Sequence, residues 1–229
     1  MGRLFHNELN ESHLNNRLTI KYLNNQPYEP VWKAMKNYAQ TDKQQADELW
    51  VVQHNPVYTR GIRCKEFPDQ KAKHIPLITV DRGGLMTYHG PGQIILYGLM
   101  DIRRKCMNIK QVVSAYEQSV INLLEHYDVE GCRIDGAPGV YVQGKKIASI
   151  GIRVKNNKTY HGLSVNFDMD LRPFKWINTC GFENLEVTQL KSLITDFCWL
   201  TASNQLITEF INLFDYAHAQ KISHPEAFA

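Results

Sequence analysis

The chain has 229 residues, 43% of them apolar, with 26 basic and 23 acidic side chains and a net charge of +3. This is the composition of an ordinary soluble globular protein, long enough for one substantial domain. The charge is too small for a nucleic-acid stripe, no run of about 18 apolar residues could span a bilayer, and the N-terminus lacks a signal peptide's apolar stretch, so a cytoplasmic location is expected.

In chain order, "LTIKYL" (18–23) alternates and predicts a first strand. The segment 29–48 carries Val31, Trp32, Met35, Tyr38 and Ala39 on one helical face, with Pro30 at an N-terminal helical position. "LWVVQH" (49–54) predicts a buried strand stopped by Asn55-Pro56, and "PLITVDR" (76–82) another. The stretch "RGGLMTYHGPGQ" (82–93) holds four glycines and a proline, and a strand resumes in "GQIILYGLMDI" (92–102). The clearest helix is 108–127, where Ile109, Val112, Val113, Tyr116, Val120, Leu123, Leu124 and Tyr127 keep a helical period behind Asn108 as N-cap. "GVYV" (139–142), "KIASIGIRV" (146–154) and "TYHGLSVNF" (159–167) follow as strands, the last two joined by a "KNNK" hairpin turn. "NQLITEFINLFDYA" (204–217) is a final amphipathic helix. Strands adjacent to strands, with helices between blocks, predict an α+β fold with a mixed, largely antiparallel sheet flanked by helices.

Five cysteines with no CxxC spacing argue against a disulfide framework or a zinc ribbon. The glycine-rich stretch contains neither a Walker A nor a GxGxxG pattern, and a strand follows it instead of a helix. Two readings stay open there: a tight turn, or a bare backbone at Gly83 and Gly84 that lies against a ligand with His89 at the pocket edge. Cys180 in "NTCGF" precedes a glycine whose N–H could face an oxyanion, although a buried, inert thiol fits the local string as well. Lys146 immediately precedes a strand and could point into a cleft, where desolvation lowers an ammonium pKa; the alternative is a solvated turn lysine. His161 begins the partner strand and would ordinarily be a structural hydrogen-bonding residue.

Taken together, "RGGLMTYHGPGQIILYGLMDI", "GVYVQGKKIASIGIRV", "HGLSVNFDMDLRPFKWINTCGF" and "VTQLKSL" resemble the lipoyl(octanoyl) transferases, over nearly the whole chain from Leu18 to Phe214. The resemblance implies the biotin/lipoate protein ligase fold in one catalytic domain over 18–214, with residues 1–17 as an N-terminal extension open to disorder. It implies Cys180 as nucleophile and Lys146 as its partner. It implies a substrate-binding set of Arg82, Gly83, Gly84, Leu85, Met86, Thr87, Tyr88 and His89, then Ser149, Ile150 and Gly151, then His161, Gly162, Leu163 and Ser164. The implied donor is octanoyl-acyl carrier protein. The implied acceptors are lipoyl domains of 2-oxoacid dehydrogenases and the glycine cleavage H protein, with no ATP, metal, nucleic acid or membrane involved. Family members often carry Pro at the positions of Thr179 and Gly98, and Trp at that of Tyr141. Two rivals are an ATP-dependent lipoate or biotin ligase on the same fold and a non-catalytic acyl-carrier-binding module. Arg103, Arg104, Lys105 and Lys145 are expected to steer acidic carrier proteins.

Overall fold

The computed structural model describes residues 16–41, 45–62, 64–178 and 186–223. In chain order they form β1 (Arg17–Gln26), α1 (Tyr28–Gln40), β2 (Asp47–His54), β3 (Val57–Gly61), β4 (Leu77–Val80), β5 (Met86–His89), β6 (Gln93–Leu99), α2 (Ile109–Glu125), β7 (Gly139–Val142), β8 (Lys145–Lys155), β9 (Lys158–Asn166), α3 (Trp199–Leu213) and β10 (His218–Ser223). Seven strands make the main sheet in the order β10-β1-β2-β6-β9-β8-β7. β1 runs parallel to β10 and to β2, while the pairs from β2 through β6, β9 and β8 to β7 are antiparallel. The expected mixed, largely antiparallel sheet is therefore present. A second sheet of three strands, β4-β3-β5, stands beside it.

The centre of the main sheet is buried on both faces, which is why β6 reads as a continuous apolar run without polar alternation. Ile95 and Tyr97 pack toward α1 through Val31, Met35 and Ala39. Ile94 and Leu96 face the other way, into a larger core with α2 and α3, where Tyr116 packs against Phe210 and Phe214. The β8–β9 hairpin turns at Asn156 and Asn157, both with positive φ (49° and 60°), as the right-handed twist of a two-residue hairpin requires.

Three differences from the sequence pattern have identifiable causes. Helix α1 stops at Gln40, and Asp47 and Glu48 belong to β2. The apolar face of the helix ends at Ala39. Asp47 is then held by tertiary partners: its buried carboxylate pairs with Arg104 and accepts from Tyr216 Oη (2.7 Å) and the Asp101 N–H (3.1 Å). Strands β3 and β5 are short and flanked by glycine or proline, so periodicity alone does not reveal them. The glycine-rich stretch contains β5 and is more than a turn. Beyond β5 Gly92 (φ +86°) does make a tight turn: a Cβ there would lie 1.8 Å from the Asp168 carbonyl oxygen.

Helix α2 begins with a full capping box: Asn108 Oδ1 accepts from the Gln111 N–H (3.0 Å), and Gln111 Oε1 accepts from the Asn108 N–H (2.8 Å). Asn108→Ala is expected to cost about 1 kcal/mol of stability, read as a lowered chemical-denaturation midpoint with an unchanged m-value.

Candidate active site

The main sheet pairs β7 only with the first part of β8, Lys145 to Ser149. Beyond that point the edge of β8 is met by the glycine-rich segment, whose Gly83 N–H donates to the Ile152 carbonyl at 3.3 Å. Between this segment, the 136–138 turn and the strands behind them lies a cavity of about 580 Å³, in the size range of small-molecule sites. Ile95, Ile109, Val113, Ile150, Ile152 and Leu163 give it apolar walls; Lys146, Thr87, Ser149, Ser164, Arg82 and His161 supply polar groups. Thr87 is 8% exposed, and its hydroxyl has no hydrogen-bond partner among the described residues. A bound ligand could satisfy it.

Lys146 reaches this cavity because of a bulge. Tyr141 pairs with Lys146 and Val140 with Ala148, so Ile147 is the extra residue. Ile147 and Ala148 both join the helical core, while Lys146, 4% exposed, lines the cavity. Its Nζ lies 5.3 Å from the Tyr141 ring centroid. Gly139 (φ +140°) leaves room for its arm: a Cβ there would stand 2.5 Å from Lys146 Cε and 2.4 Å from the Ala148 carbonyl oxygen. The main chain of Lys146 is tied to the segment that resumes at Glu186, through Lys146 N–H to Glu186 O and Thr188 N–H to Lys146 O, both 2.9 Å.

The far wall of the cavity is a buried hydrogen-bonded network. Asp81 accepts from Trp32 Nε1 (3.0 Å), Tyr160 Oη (2.6 Å) and His161 Nε2 (3.2 Å). Burial pushes the Asp81 carboxyl up, but the hydrogen bonds from these three groups together hold it well below the usual carboxylate range. His161, in the left-handed region at φ 61° within β9, keeps its Nδ1 toward Tyr28 Oη at 3.4 Å. His54 donates from Nδ1 to the Gln26 carbonyl (2.8 Å), leaving Nε2 to accept from Tyr97 Oη (2.9 Å). His89 donates from Nδ1 to Gln93 Oε1 (2.7 Å), and Gln93 passes the chain on to Asn166 Oδ1 (3.0 Å). Burial lowers the pKa of all three imidazoles, that of His54 to about 4, and for His89 the nearby His54 adds to the effect. The network is therefore neutral at its histidines near pH 7, and Asp81 is its anion.

Residues 27–211 match the catalytic-domain family of lipoyl protein ligases A and B. An octanoyltransferase of Shewanella baltica is 45% identical over 202 residues, covering 88% of this chain and 93% of that one. The chain belongs to the octanoyltransferase family. It is accordingly an enzyme, an acyltransferase. Among solved structures, a bipartite lipoate protein ligase from Thermoplasma acidophilum superposes with a TM-score of 0.70 at 14% identity, over 92% of this chain and 88% of that one. A biotin protein ligase from Aquifex aeolicus does so with a TM-score of 0.52 at 11% identity, over 87% and 69%. These two show the fold, which is the expected biotin/lipoate ligase architecture.

Of the octanoyltransferase residues expected to form the site, 82–87, His89, Lys146, 149–151 and 161–164 come together around the one cavity. Tyr88 does not: with Thr87 and His89 turned to the cavity, strand alternation points it away, against Tyr58 and Phe174. Cys180 and Thr179 lie outside the described residues. Sequence reasoning passed over Tyr28, Ile95, Tyr97 and the 136–138 turn. The one available signal was the "GAP" string before "GVYV". Two family departures have local reasons. The Gly98 N–H donates to Tyr116 Oη (2.9 Å), a bond that proline could not make. Tyr141 donates its hydroxyl to the Ala137 carbonyl (3.0 Å).

Within the expected basic patch, Arg104 and Lys105 are partnered inside the molecule. Arg104 is consumed by the buried Asp47. Lys105 donates to the Phe214 carbonyl (2.9 Å) and sits over the Tyr216 ring, and Lys145 pairs with Glu186 (2.6 Å). Arg103 and Lys145 both extend exposed side chains, and Arg103 lies 3.9 Å from Asp101.

Two outcomes are expected. Gly139→Ala forces Lys146 or the Ala148 carbonyl to move, and should cost roughly 1–3 kcal/mol of stability and lower acyl transfer about ten-fold or more, measured by denaturation and turnover on one preparation. His54 has a folded pKa below its unfolded one, so its contribution is complete above pH 6.5 and is lost as pH falls from 6.5 to about 4. The loss should approach about 3 kcal/mol. Denaturant titrations at pH 7.5 and 4.5 should show a smaller pH dependence for His54→Gln than for the parent; equal slopes would contradict this assignment.

Proposed function

We propose that this chain transfers an octanoyl group from octanoyl-acyl carrier protein to the ε-amine of a lysine on a lipoyl domain, through a thioester on Cys180 assisted by Lys146. The acceptors are the lipoyl domains of 2-oxoacid dehydrogenases and the glycine cleavage H protein, and the transfer is the first committed step of lipoate assembly on proteins in the cytoplasm. The observation that supports the reading most is the convergence of three separate sequence segments and the buried Lys146 on one cavity with apolar walls. The return of the chain at Glu186, hydrogen-bonded to the main chain of Lys146, adds to it.

The chemistry balances without nucleotide or metal. Lys146 acts on the Cys180 thiol either as the base that takes its proton or as the cation that holds the thiolate; the thiolate attacks the donor carbonyl, and the carrier's pantetheine sulfur leaves as a thiol carrying the proton that Cys180 lost. The incoming lysine amine then attacks the Cys180 thioester, the C–S bond breaks, and the proton shed by the amine restores the thiol by way of Lys146. One thioester replaces another in the first half, and an amide replaces a thioester in the second, which supplies the downhill step. An ammonium at about 4 Å would stabilise the thiolate by roughly 4 kcal/mol at an effective dielectric of about 20, before desolvation. A ligase that forms an acyl adenylate has no need of such a pair.

Incubation with octanoyl-acyl carrier protein and no nucleotide should produce a protein heavier by one octanoyl group, with the mass mapped to Cys180. Cys180→Ala should abolish the adduct, and Lys146→Ala should slow its formation by about two orders of magnitude. A strict ATP requirement with octanoic acid as donor would favour the ligase, and full turnover by both variants would favour a binding module.

A further inference from the structure

The interior face of α2 carries one carboxylate, Glu117, only 8% exposed. A charge in such a place is expensive unless its oxygens are occupied. Both are: Oε2 accepts from Arg133 Nε at 3.1 Å, and Oε1 accepts from the main-chain N–H of Gly139 at 3.0 Å. Arg133 is fixed in turn by Gln118 Oε1 (2.8 Å) and the Ser114 carbonyl (3.3 Å), so the pair is anchored to α2 itself. Gly139 is the residue whose missing Cβ makes way for the Lys146 arm, and it closes the 136–138 turn that lines the cavity. One helical turn before Glu117, Val113 lines the same cavity.

These contacts form a continuous chain from a helix to the ammonium: Arg133 to Glu117, Glu117 to the Gly139 N–H, Gly139 to Lys146 Cε. We propose that Glu117 is a positioning residue for Lys146, fixing Gly139 so that the lysine arm has one path into the cavity. Without that acceptor, Gly139 and the turn before it can shift toward or away from the arm, and Nζ loses its set position. The role of Glu117 runs through the main chain of Gly139, so what matters is an oxygen at the right reach; the negative charge matters less. This inference rests on the reading of Lys146 given above.

The test compares Glu117→Ala, Glu117→Asp, Glu117→Gln, Arg133→Met and Lys146→Ala, each below its unfolding temperature. Turnover to a lipoyl domain is measured together with the pH profile of single-turnover octanoylation followed by intact mass. Glu117→Ala should lose about ten-fold or more in kcat, with the KM for octanoyl-acyl carrier protein within about three-fold, and the pH midpoint should move by about half a unit or more. Glu117→Asp keeps the charge but is one methylene short of Gly139, and should behave like alanine; it also serves if the alanine variant does not fold. Glu117→Gln keeps an oxygen facing the N–H and should recover most of the activity and the parent pH profile. Arg133→Met removes the ion pair and leaves the Gly139 bond, and should fall between the parent and Glu117→Ala. A parent-like kcat and profile in both Glu117→Ala and Glu117→Asp would overturn the proposal, as would an Arg133→Met loss equal to that of Glu117→Ala. Full turnover by Lys146→Ala would instead sink the reading of Lys146, whereas an inactive Lys146→Ala beside a normal Glu117→Asp would sink only the role of Glu117.

Discussion

Asp81 and Arg82 are neighbours whose side chains are held on opposite sides, and the walls of the cavity depend on that divergence. The Asp81 carboxylate is gripped by Trp32 of α1 and by Tyr160 and His161 of β9. The buried Arg82 guanidinium donates to the Thr59 carbonyl (2.7 Å) and hydroxyl (3.0 and 3.1 Å) on β3. One dipeptide thus ties the small sheet to the large one and to the helix beside it. The glycine-rich segment that follows inherits its course from this clamp, and the gap it leaves against the edge of β8 is the cavity. Burying the arginine beside a partly buried carboxylate is favourable only because nearly every donor and acceptor is matched. That demand also explains why the site has neutral histidines: in so dry a place a third and fourth charge would go unpaid.

Much of the fold was legible because the central strands and α2 are long and strongly patterned. "QIILYGL" is buried on both faces and reads so; seven of the eight predicted apolar and aromatic positions, from Ile109 to Leu124, lie on α2. What escaped was short or non-local. β5 is four residues wedged among glycines, β3 is five, and β10 pairs with β1 near the opposite end of the chain. The end of α1 was decided by Asp47 meeting Arg104 and Tyr216, a meeting that no local window contains.

The site divides in the same way. Its segments were visible through family motifs, and the structure gathers them. Its second layer was not: His54 closes an apolar strand, Tyr97 sits inside another, and Tyr28 begins a helix, so each looks like ordinary core in its own string. Only the fold shows that Tyr97 and His54 share a hydrogen bond and that Tyr28 faces His161. The basic run at 103–105 shows the converse limit. Composition showed positive charge but could not show that Arg104 and Lys105 have partners inside the molecule.

The buried imidazoles carry a consequence for the energetics of folding itself. Near pH 5.5 an unfolded histidine is mostly a cation, whereas His54 in the native chain, with its pKa lowered to about 4, is mostly neutral. Collapse at that acidity therefore expels protons into the surroundings, with His89 and His161 adding to the release in the same direction. The heat of refolding recorded in a calorimeter then includes the heat of protonating whichever buffer receives them, so acetate and histidine buffers would return different enthalpies for one and the same transition.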